Sequence, residues 1–521
     1  MTAADDIGVS RATSHGLIAR NTVSAFGARA LLVLSVLALT PYLFRQLGPA
    51  GFGTWSVLFT FVSVAGIAEN GLALAVVKLV AEERGRGGDP GRIVGAGVAL
   101  MAALGLLAAL LLALGAIALD GLAANSEKHA FTLGMLVLAG AVAVRAPLAA
   151  YVAVLKGCQR YDLANIEGAF LTVAFSVGAV VAIELDRGIL GLAVAQAAAL
   201  VAAGPLGLLL LARAEPGLRL RPRRNDGAAA RKIVGFGSYT LLADSMGFIA
   251  ARMDVVVIAA IRSAAAAAPF AAAVKLQSGI QSLVLPWWNL LLPMQAELWA
   301  AGRRREVAER LLLATRIATQ ITIPAVLALS LFATDLVRVW LGPEAPPITA
   351  TIVILLLAVQ IATLSAAPSE SVLIAIGRVR AVGSLSLAEG LANITLSIVL
   401  VWRYGAIGAA LGTLLTTAAL APIKLPLAAR AVGLSLRRLL VGGVGTAVIS
   451  TVPSAALMVA LRLTLAPGAV RLMAGISLGV VAAAAVAMHQ LGPQRLRAGV
   501  SLLRLRRGSA RITTNLGAEP R

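Results

Sequence analysis

Residues 93–119 read IVGAGVALMAALGLLAALLLALGAIAL, an apolar run without a charged side chain. A helix of about 20 apolar residues crosses the roughly 30 Å hydrocarbon core of a bilayer. The whole chain is similar: 59% of its residues are hydrophobic, 13% are charged, and the mean hydropathy is +0.90. Soluble domains are typically about 45–50% apolar and about 25% charged. The sequence therefore predicts an all-α membrane protein, because helices satisfy their backbone polar groups within lipid.

Similar runs on both sides of this one predict about 14 transmembrane helices. In chain order the predicted spans are 22–44, 53–79, 93–119, 130–155, 163–183, 188–212, 233–261, 268–294, 311–333, 349–376, 381–402, 406–429, 440–462 and 470–489. The predicted domains are an N-lobe at 1–212 with spans 1–6, a basic cytoplasmic connector at 213–232, a C-lobe at 233–430 with spans 7–12, extra spans 13–14 at 431–490 and a basic cytoplasmic tail at 491–521.

The basic residues orient these spans. With a cytoplasmic N-terminus, the inside segments hold 30 Lys and Arg residues and the outside segments hold 8. This is the bias of the positive-inside rule, and one missed span would invert every later loop. Both termini are therefore predicted to be cytoplasmic. The net charge of +21 has the same explanation, and we expect no nucleic-acid partner, because base-stacking aromatics do not interleave with the basic clusters.

Catalytic and metal chemistry find little support in the composition. The chain has one cysteine, Cys158, and three scattered histidines, so we expect neither an intrachain disulfide nor a metal centre, and no cofactor. A membrane polymerase or ligase for glycans would need large outer loops and a converging nucleophile and base. The predicted outer loops are short, so we expect that the protein is not an enzyme.

Charged residues inside the predicted spans are the candidate functional residues. A charge near the bilayer centre costs at least about 2.5–3.5 kcal/mol and normally faces a polar cavity or a partner. Four deep basic residues are the candidate substrate-binding residues, and they predict a cationic cavity that binds an anionic substrate: Arg29, Arg145, Arg252 and Lys275. Three acidic residues are candidates for ion pairs or for coupling to a cation: Glu69, Asp244 and Asp254. The alternative is that these groups pair with one another and lock helices together.

The remaining charges in the spans have simpler interpretations. Lys78, Glu167, Arg316 and Lys424 lie near the cytoplasmic edge, where snorkelling of the side chain to the interface explains them. Glu370 and Glu389 lie deeper, and we expect them to cap or hydrogen-bond neighbouring helices. Arg29 and Glu69 lie at similar depth in the first two spans, so these two charges can meet.

Four short motifs resemble those of a known family, the O-antigen and exopolysaccharide repeat-unit flippases of the Wzx type. They belong to the larger multidrug/oligosaccharidyl-lipid/polysaccharide exporter superfamily. The motifs are PYLFRQLGPAGFG at 41–53 after the first span, ENGL at 69–72, KGCQRYD at 156–162 and Met253-Asp254 in the seventh span. The chain departs from the family pattern at 267–273, which reads AAPFAAA.

The resemblance implies a MATE-like, V-shaped bundle of two six-helix lobes that works by alternating access. Its implied cargo is a glycan linked to a polyprenyl diphosphate, moved from the cytoplasmic to the periplasmic leaflet of a bacterial inner membrane. The lipid bilayer and a coupling ion, Na⁺ or H⁺, are the other implied partners. The alternative with the same fold is an exporter of other lipids, or of drugs or cations. Such a pocket should be richer in aromatics and acids, whereas aromatics form only 4% of this chain.

Overall fold

The computed structural model describes residues 3–216, 218 and 227–491, and all regular elements in these ranges are helical. The α-helices are α1 (Ala3–Gly85), α2 (Gly91–Ala118), α3 (Lys128–Gly157), α4 (Tyr161–Glu184), α5 (Gly188–Ala214), α6 (Gly227–Ile261), α7 (Ala264–Ala300), α8 (Arg304–Leu331), α9 (Ala333–Leu341), α10 (Ile348–Ala375), α11 (Val379–Tyr404), α12 (Ala406–Leu420), α13 (Lys424–Val432), α14 (Leu436–Leu439), α15 (Thr446–Thr464) and α16 (Ala469–Leu491). The all-α class predicted from the sequence is confirmed.

Helix α1 contains two of the predicted spans. Its backbone leaves the helical region at Gly48, which has φ 64° and ψ 177°, and Pro49 follows directly. Side chains with a Cβ rarely adopt this φ, so glycine suits the position. The proline supplies a fixed φ for restarting a helix and lacks only an N–H that would have no partner there. The motif residues Gly48-Pro49 thus separate the first two spans.

The chain reverses direction at Gly48. The side-chain amide of Asn21 donates to the Gln159 carbonyl at 2.8 Å, and a Cβ placed on Gly157 would lie 2.9 Å from Val80. A straight helix from residue 21 to residue 80 would be about 90 Å long. Asn21 and Val80 nevertheless meet the same α3–α4 junction, so the two halves of α1 on either side of Gly48 are antiparallel.

Eleven stretches among the described residues are long and apolar enough to cross a membrane. The first of them, Val23–Gly85, includes the reversal at Gly48. Helices α6 and α7 have 35 and 37 residues and contain side chains outside the described part of the chain. The protein is therefore a multi-pass membrane protein, and the count of 14 spans stays a prediction.

The helices group into two compact units. One contains Met1–Leu290, Trp340–Val359 and Arg378–Ala421, and the other contains Leu291–Val339, Gln360–Gly377 and Pro422–Arg521. The predicted lobes at 1–212 and 233–430 stay a prediction, as do the connector and the extra spans.

Small residues bring the helices of the first unit close together. A Cβ added to Gly105 of α2 would lie 2.2 Å from the Ala146 Cβ of α3, and one on Gly97 would lie 2.9 Å from Val76 of α1. Small residues allow this approach where the helices gain no hydrophobic driving force from leaving lipid. The opposite face of α2 exposes large apolar side chains, Leu106, Leu107, Leu110, Leu111, Leu114 and Ile117. Apolar side chains on this exposed face suit contact with lipid.

Several charges of the spans join neighbouring helices. Thr417 of α12 donates to the Glu389 carboxylate of α11 at 2.8 Å, and Lys424 lies 2.7 Å from the Glu370 carboxylate of α10. These contacts confirm the expected helix-to-helix role of both glutamates. The snorkelling interpretation was wrong for Lys424, which is buried, because its ammonium has an acidic partner inside the bundle.

Candidate functional site

A cavity of about 220 Å³ lies inside the first compact unit, between α1, α4, α5, α6 and α7. Both halves of α1 contribute to it, because the reversal at Gly48 brings the two halves side by side. The lining includes aliphatic side chains of the first half, among them Leu32, Val36 and Leu39. The second half contributes the aromatic rings Phe52, Trp55 and Phe59.

Two of the predicted substrate-binding residues, Arg252 and Lys275, line this cavity together. The Lys275 ammonium lies 4.2 Å from the centroid of the Phe59 ring, a cation–π contact. The charges of Lys275 and Arg252 act on each other electrostatically, and like charges repel. Among the described lining residues, none is Asp or Glu. The described lining of the cavity is therefore basic, and its role in substrate binding stays a prediction.

Aromatic rings are concentrated at the cavity. Trp55 stacks on Phe175 with the ring centroids 5.9 Å apart and an interplanar angle of 19°, and it also contacts Phe59 at 5.9 Å. This cluster was not predicted from the sequence, because the aromatic content of the whole chain is only 4%. The i, i+4 spacing of Trp55 and Phe59 was the available signal, since it places both rings on one helix face.

The polar lining of the cavity is mostly hydroxyl groups. Ser56 and Thr60 of α1 donate to the carbonyls four residues earlier at 2.7 and 2.8 Å. Thr172 and Ser176 of α4 do the same at 3.0 and 2.8 Å. The lining also includes Gln196 of α5 and Thr40 of α1. None of these uncharged polar residues was a candidate from the sequence.

Arg145 is placed elsewhere, in a buried charge cluster. Its guanidinium Nη2 lies 2.6 Å from Glu167 Oε1, and the two side chains are only 11% and 6% exposed. Glu69 and Lys156 interact electrostatically with both members of this pair. Arg145 is therefore not brought together with Arg252 and Lys275. The snorkelling interpretation of Glu167 was wrong, because its carboxylate lies inside the bundle with a basic partner.

The other predicted site residues are dispersed. The buried Asp254 carboxylate accepts a hydrogen bond from Thr413 at 2.9 Å, and Asn393 donates to the same hydroxyl at 3.0 Å, so Asp254 joins α6 to α11 and α12. Arg29 is absent from the described lining of the cavity and interacts with neighbouring residues. The side chain of Asp244 lies outside the described residues.

The α3–α4 junction, which contains the KGCQRYD motif, holds the beginning of the first span. The Asp162 backbone N–H donates to the Asn21 side chain at 2.9 Å, and the Asp162 carboxylate lies 3.0 Å from Arg20 and 3.1 Å from Arg160. Asn165 donates to the Ser24 hydroxyl at 3.0 Å. The motif thus has a structural role, because it holds residues 20–24 of α1 against the beginning of α4.

Metal binding finds no site in the part of the chain that the structure describes, where no group of three His, Cys, Asp or Glu side chains could hold an ion. Two of the three acidic candidates interact with described residues. Glu69 interacts with the Arg145 cluster, and Asp254 is hydrogen-bonded by Thr413.

Comparisons with known proteins agree with this architecture. The profile of the polysaccharide biosynthesis protein family matches residues 19–299, more than half of the chain. No curated protein matches by sequence.

Solved structures share the fold at low sequence identity. The lipid II flippase MurJ, in an inward closed conformation, superposes with a TM-score of 0.70 at 13% identity, covering 90% of this chain and 98% of that one. An inward-facing multidrug resistance MATE family transporter of the MOP superfamily gives 0.67 at 15%, covering 80% and 99%. A mutant of the Vibrio cholerae MATE transporter VcmN gives 0.57 at 18%, covering 81% and 98%. The chain belongs to the polysaccharide biosynthesis protein family and has the fold of the MurJ and MATE transporters.

Proposed function

We propose that the protein is a flippase that moves a polyprenyl-diphosphate-linked oligosaccharide from the cytoplasmic to the periplasmic leaflet. The observation that carries the proposal is the cavity with Arg252 and Lys275 and no acidic residue among its described lining. Guanidinium and ammonium groups bind phosphate oxygens through charge-assisted hydrogen bonds, which are roughly twice as strong as neutral ones. The family match supports a polysaccharide cargo, and the MurJ-like fold supports a lipid-linked one.

The proposed binding mode places the diphosphate between Arg252 and Lys275. Bringing an anion there relieves the repulsion between the two cations, so the cavity favours a ligand with more than one negative charge. The cavity of about 220 Å³ is small for an oligosaccharide, since pockets for drug-sized ligands have volumes of about 300–1,000 Å³. We therefore propose that the cavity widens during alternating access, while the polyprenyl tail stays in the bilayer.

The test is complementation of a strain that lacks its repeat-unit flippase, scored by surface polysaccharide and paired with flipping in proteoliposomes. Hydrogen bonds to charged groups contribute about 1.5–3 kcal/mol, so Arg252→Ala and Lys275→Ala should each lower flipping about 10- to 100-fold. Arg380→Ala, at an exposed arginine, is the control and should flip like the wild type. Full activity of the double variant Arg252→Ala/Lys275→Ala at normal expression would refute the cavity as the substrate site.

A drug or cation exporter is the alternative with the same fold. The aromatic cluster of Trp55, Phe59 and Phe175 suits such a cargo, whereas the basic side chains of Arg252 and Lys275, with no Asp or Glu among the described lining residues, oppose it. Efflux of a cationic dye from cells that express the protein distinguishes the two functions. Efflux that Lys275→Ala increases, with no effect on surface polysaccharide, would favour the exporter.

Ion coupling is assigned to Glu69 in this proposal. Glu69 interacts electrostatically with Arg145 and Glu167 in the buried cluster and has no hydrogen bond among the described residues. Its protonation, or a bound Na⁺, would change the charge balance of that cluster. The test compares flipping driven by an imposed pH gradient with flipping driven by an imposed Na⁺ gradient, using wild type and Glu69→Gln. Equal stimulation of both proteins by both gradients would exclude Glu69.

The proposed location is the bacterial inner membrane with both termini on the cytoplasmic side. The 30 to 8 distribution of basic residues supports this orientation. Alkaline phosphatase fused after Ser126, in the connection between α2 and α3, should be active. The same enzyme fused after Gly87, in the connection between α1 and α2, should be inactive, and the reverse pair would overturn the orientation.

A further inference from the structure

We infer that Gln196 and the hydroxyl groups around the cavity recognise the hydroxyl groups of the sugar attached to the diphosphate. The inference rests on the proposed function and assigns the uncharged part of the same cavity to the glycan. The observation behind it is the number of hydrogen-bond donors and acceptors that each lining side chain still has free after its contacts within the protein.

The four hydroxyls of the belt, defined as Ser56, Thr60, Thr172 and Ser176, have already used their protons. Each donates to the backbone carbonyl four residues earlier, at distances between 2.7 and 3.0 Å. A hydroxyl has one donor and two acceptor lone pairs. The belt therefore offers its remaining capacity to the cavity as acceptors. Phosphate oxygens are acceptors too and gain nothing from these groups, whereas the O–H groups of a sugar can donate to them.

Gln196 provides both kinds of partner. Its side chain lines the cavity, the residue is only 7% exposed, and it makes no hydrogen bond within the described ranges of the chain. Buried polar groups are nearly always hydrogen-bonded, and an unsatisfied one carries a desolvation penalty. Thr40 is also buried, lines the cavity and has no hydrogen bond among the described residues. Two unpartnered polar groups facing one cavity indicate a ligand that satisfies them.

A sugar ring matches this set of groups. Each sugar hydroxyl both donates and accepts, so it can donate to the belt and pair with the amide of Gln196 at the same time. The basic pair Arg252 and Lys275 lines the same cavity, so one lipid-linked glycan can place its diphosphate on the cations and its first sugar on the belt. Gln196 and the belt thereby give specificity for a glycosylated lipid, whereas the basic pair gives affinity for the diphosphate.

The experiment measures binding of two probes to the purified full-length protein in nanodiscs. The probes are polyprenyl diphosphate and the same lipid carrying one neutral hexose. The wild type should bind the hexose-carrying lipid more tightly. Loss of a neutral hydrogen bond is typically a threefold to tenfold effect, so Gln196→Leu should weaken binding of the hexose lipid by about that factor and leave the sugar-free lipid unchanged. Arg252→Ala should weaken both probes.

Matched controls separate recognition from folding. Ser63 donates to the Phe59 carbonyl at 2.8 Å on the same helix as Ser56 but does not line the cavity. Ser56→Ala should therefore weaken the hexose lipid selectively, and Ser63→Ala should not. Gln196→Glu retains the shape of the side chain but adds a negative charge beside the basic pair, so it should weaken binding of both probes.

The outcomes distinguish a failure of the sugar assignment from a failure of the proposed flippase function. Equal affinity of the wild type for both probes, or an equal effect of Gln196→Leu on both, would overturn the sugar assignment and leave the proposed function intact. Binding of neither probe by the wild type would overturn the proposed function and this inference with it. A loss restricted to the hexose lipid in Gln196→Leu and Ser56→Ala, with Ser63→Ala like wild type, supports the inference.

Discussion

The indole N–H of Trp340 donates a 2.7 Å hydrogen bond to the backbone carbonyl of Leu37, 303 residues away. In an α-helix that carbonyl would accept from the amide of residue 41, but Pro41 has no N–H. Trp340 supplies the donor that Pro41 removes. Arg45 joins the same contact, since its guanidinium donates to the carbonyls of Trp340 and Leu341 at 3.2 and 3.0 Å. The Arg45 guanidinium and the carbonyl that Pro41 leaves without a helical donor thus both contact the C-terminal end of α9.

This relationship predicts that the cost of losing the Trp340 indole depends on Pro41. Trp340→Phe keeps an aromatic ring and leaves the Leu37 carbonyl without a donor, which should lower the free energy of unfolding by about 1–3 kcal/mol. Pro41→Ala restores an N–H at position 41, so the same substitution should cost less in that background. A double-mutant cycle measured by SDS titration in mixed micelles tests the coupling.

The control for this cycle is Trp402→Phe, because the Trp402 side chain is 76% exposed. It should change stability little in either background. Equal effects of Trp340→Phe with and without Pro41 would show that the indole does not replace the missing amide.

The buried pair of Arg145 and Glu167 predicts a stability effect separate from transport. Removing one member of a buried ion pair typically costs about 3–5 kcal/mol, because the other charge stays buried without its partner. Arg145→Ala and Glu167→Ala should each lower the unfolding midpoint and the yield of folded protein. The exposed pair of Arg305 and Glu309, at 93% and 56% exposure, is the matched control. Arg305→Ala should cost no more than about 1 kcal/mol.

Complementation by Arg145→Ala must therefore be read against protein levels. A variant that is as stable as the wild type but does not flip would show that Arg145 contacts the cargo, contrary to its position in the structure.

Close packing at Gly53 predicts that an added methyl group disrupts packing there, whereas the same change at Gly66 does not. A Cβ on Gly53 would lie 1.8 Å from the backbone carbonyl oxygen of Ala264, at the beginning of α7. A backbone atom cannot move aside like a side-chain tip, so Gly53→Ala should prevent correct packing of α1 on α7. Gly66 lies on the same helix with nothing within 4 Å of its added Cβ. Gly66→Ala should be neutral or stabilising by up to about 1 kcal/mol. Size-exclusion profiles and thermal midpoints in detergent compare the two.

Cys158 is the one thiol of the chain, which allows a pH-dependence test. Burial raises the pKa of this thiol, so at pH 7–8 less thiolate is present in the native protein than in the unfolded chain. Alkylation by iodoacetamide should therefore accelerate at higher pH in the native protein than in SDS, where a free cysteine has a pKa of about 8.5.

The sign of the linked stability effect follows from the same shift. Because the folded-state pKa lies above the unfolded value, the native state holds more protons than the unfolded chain once the pH rises past the unfolded pKa. Stability contributed by the neutral thiol is present below that pH and declines above it. Cys158→Ser should remove this part of the alkaline destabilisation. Identical alkylation profiles in detergent and in SDS would contradict the burial of Cys158.

The membrane class and most span positions could be predicted from the sequence, because each rests on local apolar runs of sufficient length. The helix-to-helix roles of Glu370 and Glu389 were also predictable, since two deep acids in adjacent spans need neighbours. The pairing of Arg145 with Glu167 was not. It depends on the rotation of α3 and α4 about their axes, which hydropathy does not determine, and a few residues of depth error made Glu167 an interfacial residue.

Only half of the four basic candidates line one cavity in the structure, Arg252 and Lys275. Depth along the span was the criterion for all four, but a cavity also requires that helices face one another. Depth along the span could not single out Gln196 or the hydroxyl belt. Uncharged polar residues are common in transmembrane helices, and most of them hydrogen-bond to carbonyls of their own helix. Their significance depends on which of them has no partner left, and only the three-dimensional contacts of Gln196 reveal that.

The reversal of α1 at Gly48 has a consequence for biogenesis. Between Phe44 and Gly53 the turn contains only two polar side chains, Arg45 and Gln46. The translocation machinery therefore has no hydrophilic loop to carry across after the first span, and we expect the two spans to enter the bilayer together as a hairpin. A chain truncated near Phe44 would hold a lone span, whereas a chain truncated near Gly85 would hold the complete pair, with the turn at Gly48 between its two spans.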